Sequence, residues 1–225
     1  MYFAKPSLTP KADLKMTLRF DLNFQFKGDR NYVQGPDMLN AIIDALSQQL
    51  PMPLKSVDLQ IHRMTGSNLV LELGHERDAI APHPDNIATL TLAATNTSWY
   101  GRLREADTQP ASRQPYDEDS LVALCEFATA ETGRQSIFIR APSPFTPIET
   151  FVAMTKALHK RAFPDAIGKW VFCRWVSAEW PTKAPVHETT VTLTHTVGTR
   201  LTQSKVALDG IPVGTVYFSA KTDGV

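Results

Sequence analysis

The stretch LKMTLRFDLNFQFKGDRNYVQGPDMLNAIIDALSQQL, residues Leu14 to Leu50, decides the fold of this chain. From Leu14 to Phe26 every second residue is apolar and the residues between are polar. This period of two predicts one long strand with a buried face and a solvated face. A polar loop then leads to Pro36, where we expect a helix that carries apolar residues on one side. A strand that is joined to a helix by such a loop contributes apolar side chains to the core, and the loop can also bind a ligand.

Beyond Leu50 the first half continues as strands. Thr65-Gly66-Ser67-Asn68 has the composition of a hairpin turn. Alternating or short apolar runs predict four strands, at Leu54–Met64, Leu69–Leu73, Ile87–Ala94 and around Trp99–Leu103. The first half therefore reads as strand, helix and four strands.

The second half repeats this order of elements. A polar segment, Asp107–Asp119, predicts a linker, and helical spacing of apolar residues predicts a connecting helix over Ser120–Glu131. The capping box Thr146-Pro147-Ile148-Glu149 starts the main helix. The strands predicted around it are Ile137–Ile139, Lys169–Ala178, Glu188–Thr196, Arg200–Leu208 and Val213–Ala220, with a hairpin turn at Asp209-Gly210. Recurrence of one element order at about half the chain length indicates a duplication. The alternative is one large α+β domain with two helices.

Composition narrows the class of protein. With 225 residues, 43% hydrophobic and 20% charged, the chain has enough apolar material for a sizeable core. The 23 basic and 23 acidic residues are mixed along the chain, which argues against a nucleic-acid partner. We see no signal peptide and no membrane span. Cys125 and Cys173 lie in apolar settings, so free thiols and a cytoplasmic location are expected.

Two motifs resemble the hotdog fold. The hairpin Arg200–Ala220, with its Asp-Gly turn, is similar to the closing strands of hotdog thioesterases and dehydratases, and Tyr32–Asp37 is similar to the family's helix entry. The resemblance implies an α+β double hotdog, in which each repeat is a long helix wrapped by a curved antiparallel sheet. The repeats would span residues 12–106 and 134–222, with a linker at 107–133. It also implies an acyl-CoA or acyl-carrier-protein substrate, thioester hydrolysis or 3-hydroxyacyl dehydration, no cofactor, and homo-oligomers formed edge to edge.

The loop before the first helix carries the candidate catalytic residues. Free N–H groups and the dipole at a helix start favour negative charge, so a thioester carbonyl placed there would be polarised. Gly35 would allow close approach and Gln34 could donate a hydrogen bond. The carboxylates of Asp29 or Asp37 could orient water or act as a base. The competing interpretation is that Asp37 only complements the dipole and Gln34-Gly35 only forms a turn.

Other polar residues give weaker signals. Arg30 and Tyr32 could contact a carrier phosphate or an acyl chain, or could be exposed loop residues. His75 and His83 match no standard metal-site spacing, so no metal is expected. His159 ends a helix, where a cation would suit the dipole. The second helix entry has no glycine and no preceding Gln or His, which favours a role for it as scaffold or as part of the acyl-pocket wall.

Two further function classes stay open at this point. One is a non-catalytic acyl-binding or assembly module on a hotdog scaffold. Two features favour it: the first helix entry has Gln34-Gly35 and no histidine, although a His-Gly pair is also common there in hotdog proteins, and the second entry has neither pair. The other is a duplicated ferredoxin-like module that binds RNA. That module requires two helices per repeat and a basic face, whereas the sequence predicts one main helix per repeat and no such face.

Overall fold

The computed structural model describes residues 18–47, 49, 54–77, 83–94, 97–131, 133–166, 168–177, 187–198 and 200–221. The helices are α1 (Gly35–Ser47), α2 (Glu118–Val122) and α3 (Pro147–Ala162). The strands of the first half are β1 (Leu18–Leu22), β2 (Phe26–Lys27), β3 (Ser56–Ile61), β4 (Leu69–Gly74), β5 (Ala88–Ala93) and β6 (Ser98–Glu105). The later strands are β7 (Arg113–Gln114), β8 (Glu126–Thr129), β9 (Gln135–Ile139), β10 (Lys169–Ser177), β11 (Thr189–Val197), β12 (Leu201–Leu208) and β13 (Ile211–Lys221).

One antiparallel sheet of eleven strands dominates the molecule. Its order is β1-β4-β6-β5-β3-β10-β13-β12-β11-β9-β8, so the first half of the chain forms one end and the second half the other. The two ends join where β3 pairs with β10. There the Arg174 guanidinium donates to both oxygens of Asp58, from Nε at 2.8 Å and from Nη2 at 2.6 Å. A large antiparallel sheet with few helices is the architecture expected of a hotdog protein.

The buried faces follow the sequence periods. On β4, Leu69, Leu71 and Leu73 are fully buried, as the alternation predicts. On α1 the apolar stripe includes Leu39 and Ile42, which are also fully buried. Helices α1 and α3 contact each other, and α3 packs on strands of the second half. Burial of each such aliphatic side chain stabilises the fold by about 1.5–3 kcal/mol.

The first strand is shorter than its alternation predicts. Leu14–Thr17 lie outside the described residues, and the strand leaves the large sheet after Leu22. The Phe24 N–H donates to the side-chain Oδ1 of Asn68 at 2.9 Å instead of to a strand. The chain then pairs in parallel with β7, where Phe26 lies opposite Arg113. An amide side chain thus replaces a strand partner, which the period of two does not reveal.

Of the two predicted hairpin turns, one is wrong and one is confirmed. Thr65–Asn68 does connect β3 to β4, but these strands do not pair with each other, because β4 lies between β1 and β6. Asp209-Gly210 does close a hairpin between β12 and β13. Its φ angles of 48° and 80° are the left-handed values that a tight two-residue turn requires.

The predicted connecting helix over Ser120–Glu131 is also wrong in extent. Helix α2 starts after Asp117, whose side chain accepts from the Ser120 N–H at 3.1 Å, and it ends at Val122. The chain then forms the edge strand β8. Leu121 is fully buried whereas Leu124 is 53% exposed, so the helical stripe is not sustained.

Three expected absences can be compared with the described residues. None of their helices is both long and apolar enough to cross a membrane. No group of three or more His, Cys, Asp or Glu among them could hold a metal ion. Cys125 and Cys173 are both free and partly buried.

Candidate functional site

The start of α1 has backbone N–H groups that precede its first intrahelical hydrogen bond. The first intrahelical bond runs from the Met38 N–H to the Gln34 carbonyl at 3.1 Å. The amides of Gly35 and Asp37 come before it, and Pro36 between them has no N–H. Such helix-start amides and the dipole favour an oxyanion.

A buried ammonium links this helix start to that of α3. Lys27, on β2, donates to Oδ1 of Asp37 in the first turn of α1 and to Oε1 of Glu149 in the first turn of α3. The three side chains are only 8%, 14% and 8% exposed, in that order. Residues that are far apart in sequence therefore form one ion cluster between the two helix starts.

The two carboxylates of this cluster have opposite pKa shifts. Burial raises the pKa of Glu149, but hydrogen bonds from Lys27 and Thr146 outweigh burial and leave that pKa lowered. Thr146 donates to Glu149 Oε2 from its N–H at 3.0 Å and from its hydroxyl at 2.6 Å. At Asp37, burial outweighs the attraction of Lys27, and the pKa is raised. Glu149 is thus the ionised partner, and Asp37 is the carboxyl that holds a proton more readily.

Three polar atoms, two at the start of α1 and one on Tyr116, are buried without a hydrogen-bond partner among the described residues. They are Nε2 of Gln34, Oδ2 of Asp37 and the hydroxyl oxygen of Tyr116. A buried polar group that stays unpaired costs about 1–3 kcal/mol, so native proteins keep few of them. An amide donor and a carboxyl oxygen left unpaired on one helix turn are typical of a site that receives a polar ligand.

Tyr116 places an aromatic ring against the cluster. Its ring centre lies 5.0 Å from Lys27 Nζ and 5.3 Å from the guanidinium carbon of Arg30, and it meets Phe145 edge to face at 5.1 Å. Burial, followed by the nearby carboxylates of Glu118 and Glu149, raises the pKa of its hydroxyl. Tyr116 therefore stays a neutral hydrogen-bond donor.

A second set of charges continues from the cluster. Arg30 donates to Glu118 Oε2 at 3.1 Å, and Lys156 donates to Glu118 Oε1 at 2.7 Å. Burial raises the pKa of Glu118, but Lys156 and Arg30 outweigh it and leave that pKa lowered. The loop before α1, helix α2 and helix α3 are thereby tied together by paired charges.

The structure brings some of the predicted site residues together and leaves others apart. Asp37 belongs to the ion cluster, and Gln34 is 5% exposed beside it in sequence. Arg30 is engaged with Glu118, Tyr32 is half-buried, and Asp29 is exposed.

Gly35 is needed for packing. A Cβ at this position would lie 2.4 Å from Cδ1 of Phe172 and 2.5 Å from Cδ1 of Ile61. The sequence interpretation was that glycine admits a ligand to the backbone. In the structure these two apolar side chains occupy that space.

Sequence reasoning missed Lys27, Glu149 and Tyr116. Lys27 falls on the polar phase of the first strand, so nothing marks it as buried. Glu149 was interpreted only as half of a capping box, which it does form, and Tyr116 lies in the predicted linker. The one available signal is that the capping-box carboxylate leaves its second oxygen free for another partner.

His159 does not act as a cation at the end of α3. It is fully buried among aromatic rings, with Trp170 at 4.6 Å and Phe218 at 5.0 Å between centres. Its Nε2 lies 2.8 Å from the Thr202 hydroxyl. Burial lowers the pKa of His159 to about 4, so the ring is neutral at pH 7.

Comparison with known proteins finds similarity in structure only. No family model and no curated protein sequence matches the chain. The dehydratase domain of a mycocerosic acid synthase-like polyketide synthase matches with a TM-score of 0.50 and 11% identity, over 96% of this chain and 94% of that domain. A tesB protein of Mycobacterium avium subspecies paratuberculosis matches with a TM-score of 0.48 and 15% identity, over 90% and 93%. The 12:0-ACP thioesterase of Umbellularia californica matches with a TM-score of 0.42 and 9% identity, over 91% and 97%.

The match to the polyketide synthase dehydratase domain, a hotdog protein, extends over nearly the whole of both chains. At 11% identity this match establishes the fold and leaves activity open. The chain is therefore a hotdog-fold protein, and its architecture is consistent with a double hotdog.

Proposed function

We propose that this chain processes acyl thioesters of coenzyme A or acyl-carrier protein, as a thioesterase-like or 3-hydroxyacyl dehydratase-like enzyme. The observation that carries the proposal is the pair of buried, unpaired polar atoms at the start of α1, Gln34 Nε2 and Asp37 Oδ2. One is a donor and the other an acceptor or acid. Together with the helix-start amides they match the needs of a thioester carbonyl and of a group that gains or loses a proton.

In this proposal the amide of Gln34 and the free backbone donors polarise the thioester carbonyl. Asp37 transfers the proton. In hydrolysis its carboxylate accepts a proton from the attacking water and returns it to the thiolate that departs when the C–S bond breaks. In dehydration it removes the Cα proton and passes it to the leaving hydroxyl, so that the C–O bond breaks, the double bond forms and water departs. The raised pKa of Asp37 favours the second role. Lys27, fixed by Glu149, holds Asp37 in place and offsets its charge when the proton has left.

The remaining predicted residues receive supporting roles. Arg30 and Tyr32 are proposed to bind substrate at the edge of the site. We assign proton transfer to Asp37 over Asp29 because the Asp29 side chain is exposed. Asp29 then has at most the task of orienting water.

The wider arrangement is also proposed. The chain would consist of two helix-wrapped repeats, residues 12–106 and 134–222, joined by a linker at 107–133. The pairing of β3 with β10 supports this arrangement, because it joins the strands of the first repeat to those of the second. Such a protein would act in the cytoplasm without a cofactor, as a homo-oligomer, and would bind neither nucleic acid nor membrane.

One observation favours the non-catalytic alternative. Phe172 and Ile61 fill the space beside Gly35, so a substrate that approached from that side would have to displace them. An acyl-binding or assembly module would keep the fold and the ion cluster without turning substrate over.

The test is a panel of acyl-CoA and 3-hydroxyacyl-CoA esters, with free thiol release and loss of the hydroxyl followed separately. We expect turnover that falls by about 10²–10⁴-fold in Asp37→Asn, the usual contribution of a positioned acid or base. Asp44→Asn is the matched control, since Asp44 is exposed on the same helix. Retained acyl-CoA binding without turnover of any ester would establish the binding module instead.

A further inference from the structure

A cavity of about 330 Å³ lies beside α3, bounded by α2 and β8. Its apolar wall is formed by Val122, Phe127, Ala153 and Ala157. Its charged lining consists of the cations Lys156, Lys160 and Arg161 and the carboxylates Glu118 and Asp119. The volume is within the range of small-molecule pockets, about 300–1,000 Å³. It contains none of the predicted catalytic residues.

The cavity and the ion cluster share one face of α3. Glu149, Ala153, Lys156 and Lys160 follow at spacings of three or four residues, which places them in one row along the helix. At a rise of about 1.5 Å per residue, Ala153 lies about 6 Å along the axis from Glu149. The alanines leave the room that larger side chains would fill. The ion pair of Glu118 and Lys156 lines the cavity, so the cavity adjoins the charges that continue from the cluster.

The cavity lining holds three cations and two carboxylates, so positive charge exceeds negative by one. Lys160 and Arg161 are exposed and form no ion pair with any other described residue, although Arg161 lies over the Phe127 ring at 4.8 Å. The inner Lys156 is already paired with Glu118. Burial, together with the cations Arg30 and Lys160, lowers the pKa of Lys156. The excess positive charge and the apolar side chains along the wall together favour an anion with an apolar body.

We infer that this cavity binds an amphiphilic anion, with the apolar body against Phe127 and the alanines and the anionic group at Lys160 and Arg161. Two sources share this chemistry. One is a free fatty acid with its carboxylate. The other, which rests on the proposed function, is the phosphate end of the pantetheine arm that carries an acyl group to the α1 start.

Titration calorimetry with three probes separates these sources: decanoate, 4′-phosphopantetheine, and pantetheine without the phosphate. We expect at least one anionic probe to bind, with affinity that falls as salt rises, and at least tenfold weaker binding in Lys160→Gln/Arg161→Gln. Binding of decanoate alone assigns the cavity to a free fatty acid. Tighter binding of the phosphorylated arm than of pantetheine assigns it to a carrier.

Two further variants keep the inference open to disproof. Ala157→Leu fills the cavity and should abolish binding, and Lys205→Gln, at an exposed site on β12, should leave it unchanged. Unaltered binding in both Ala157→Leu and the double charge variant, or no binding of any anion, overturns the inference. Anion binding without thioester turnover would contradict the proposed function and leave the cavity assignment intact. Thioester turnover without anion binding at the cavity would contradict the cavity assignment and leave the proposed function intact.

Discussion

The two main helices begin in different ways. At α3 the polar groups of the start have partners: Thr146 is bonded to Glu149, and the Ser143 hydroxyl lies 2.6 Å from that of Thr150. At α1, Gln34 Nε2 and Asp37 Oδ2 are buried and have no hydrogen-bond partner among the described residues. The first arrangement stabilises a helix. The second leaves a donor and an acceptor that a ligand could bind.

The α3 start also supports the α1 start. Glu149 uses one oxygen to cap its own helix and the other to hold Lys27, which in turn holds Asp37. The satisfied helix start therefore positions the unsatisfied one. The variants below test the two helix starts and the opposite end of α3, in order of decreasing expected effect on stability.

Removing the shared ammonium should have the largest effect on stability. Lys27→Ala leaves the carboxylates of Asp37 and Glu149 buried without a counter-charge, and we expect a loss of about 3–5 kcal/mol in the free energy of unfolding. Urea denaturation measures it, with Lys55→Ala, at an exposed site, as control. Adding Asp37→Asn and Glu149→Gln to a Lys27→Met variant should recover most of the loss. A loss below about 1 kcal/mol in Lys27→Ala would show that the cluster does not hold the helix starts together.

The far end of α3 should make stability depend on pH. His159 has a folded pKa of about 4 against an unfolded value of 6.5, so the unfolded chain binds the proton first as pH falls. The stabilisation is complete above pH 6.5 and is lost toward pH 4. Between pH 7 and pH 5 the loss should be about 2 kcal/mol from this residue. His159→Gln, which can still bond Thr202, should show a correspondingly shallower pH dependence of its unfolding midpoint; equal slopes would contradict the assignment.

The cap of α3 should contribute about 1 kcal/mol. Thr146→Ala removes the hydroxyl that donates to Glu149, and substitutions of this kind at a helix start cost about 0.5–2 kcal/mol. Thermal unfolding beside Thr194→Ala, a threonine hydroxyl on β11 that bonds the Gln203 carbonyl, separates the cap from the loss of any one hydroxyl. If Thr146→Ala lost no more stability than Thr194→Ala, the capping contribution of Thr146 would be contradicted.

The smallest change in stability is expected at Gln34, which precedes α1 and has a buried side-chain donor without a partner among the described residues. Gln34→Met keeps the side-chain length and removes a buried donor that has no partner, so stability should change by less than about 1 kcal/mol, in the stabilising direction. Thioester turnover or acyl-CoA binding should nevertheless fall. A clear loss of stability with unchanged binding would assign Gln34 to structure.

The sequence predicted most of the fold because burial alternates at a fixed period. Leu69, Leu71 and Leu73 are buried where that period places them, and Asp209-Gly210 turns as its residues require. Strand pairing also depends on residues that are far apart in sequence. The Asn68 side chain accepts a hydrogen bond from the Phe24 N–H, where the first strand has left the sheet.

The candidate site was only partly predictable for the same reason. Gln34 and Asp37 lie where a helix start could be recognised from local signals. Lys27 lies on a polar strand position, and its burial depends on Glu149, more than a hundred residues away in sequence. Hydrophobic pattern and residue propensity describe residues that are close in sequence, so they could not predict the pairing of Lys27 with Glu149.

The pairing of β3 with β10 has a consequence for how the protein unfolds. The backbone ladder and the Arg174–Asp58 pair join the two ends of the sheet, and Lys27 ties both helix starts at another place. Opening either end alone would break that ladder and leave buried charge unpaired. Heating should therefore give one cooperative transition for the whole molecule, with no plateau in which one end stays folded while the other has melted.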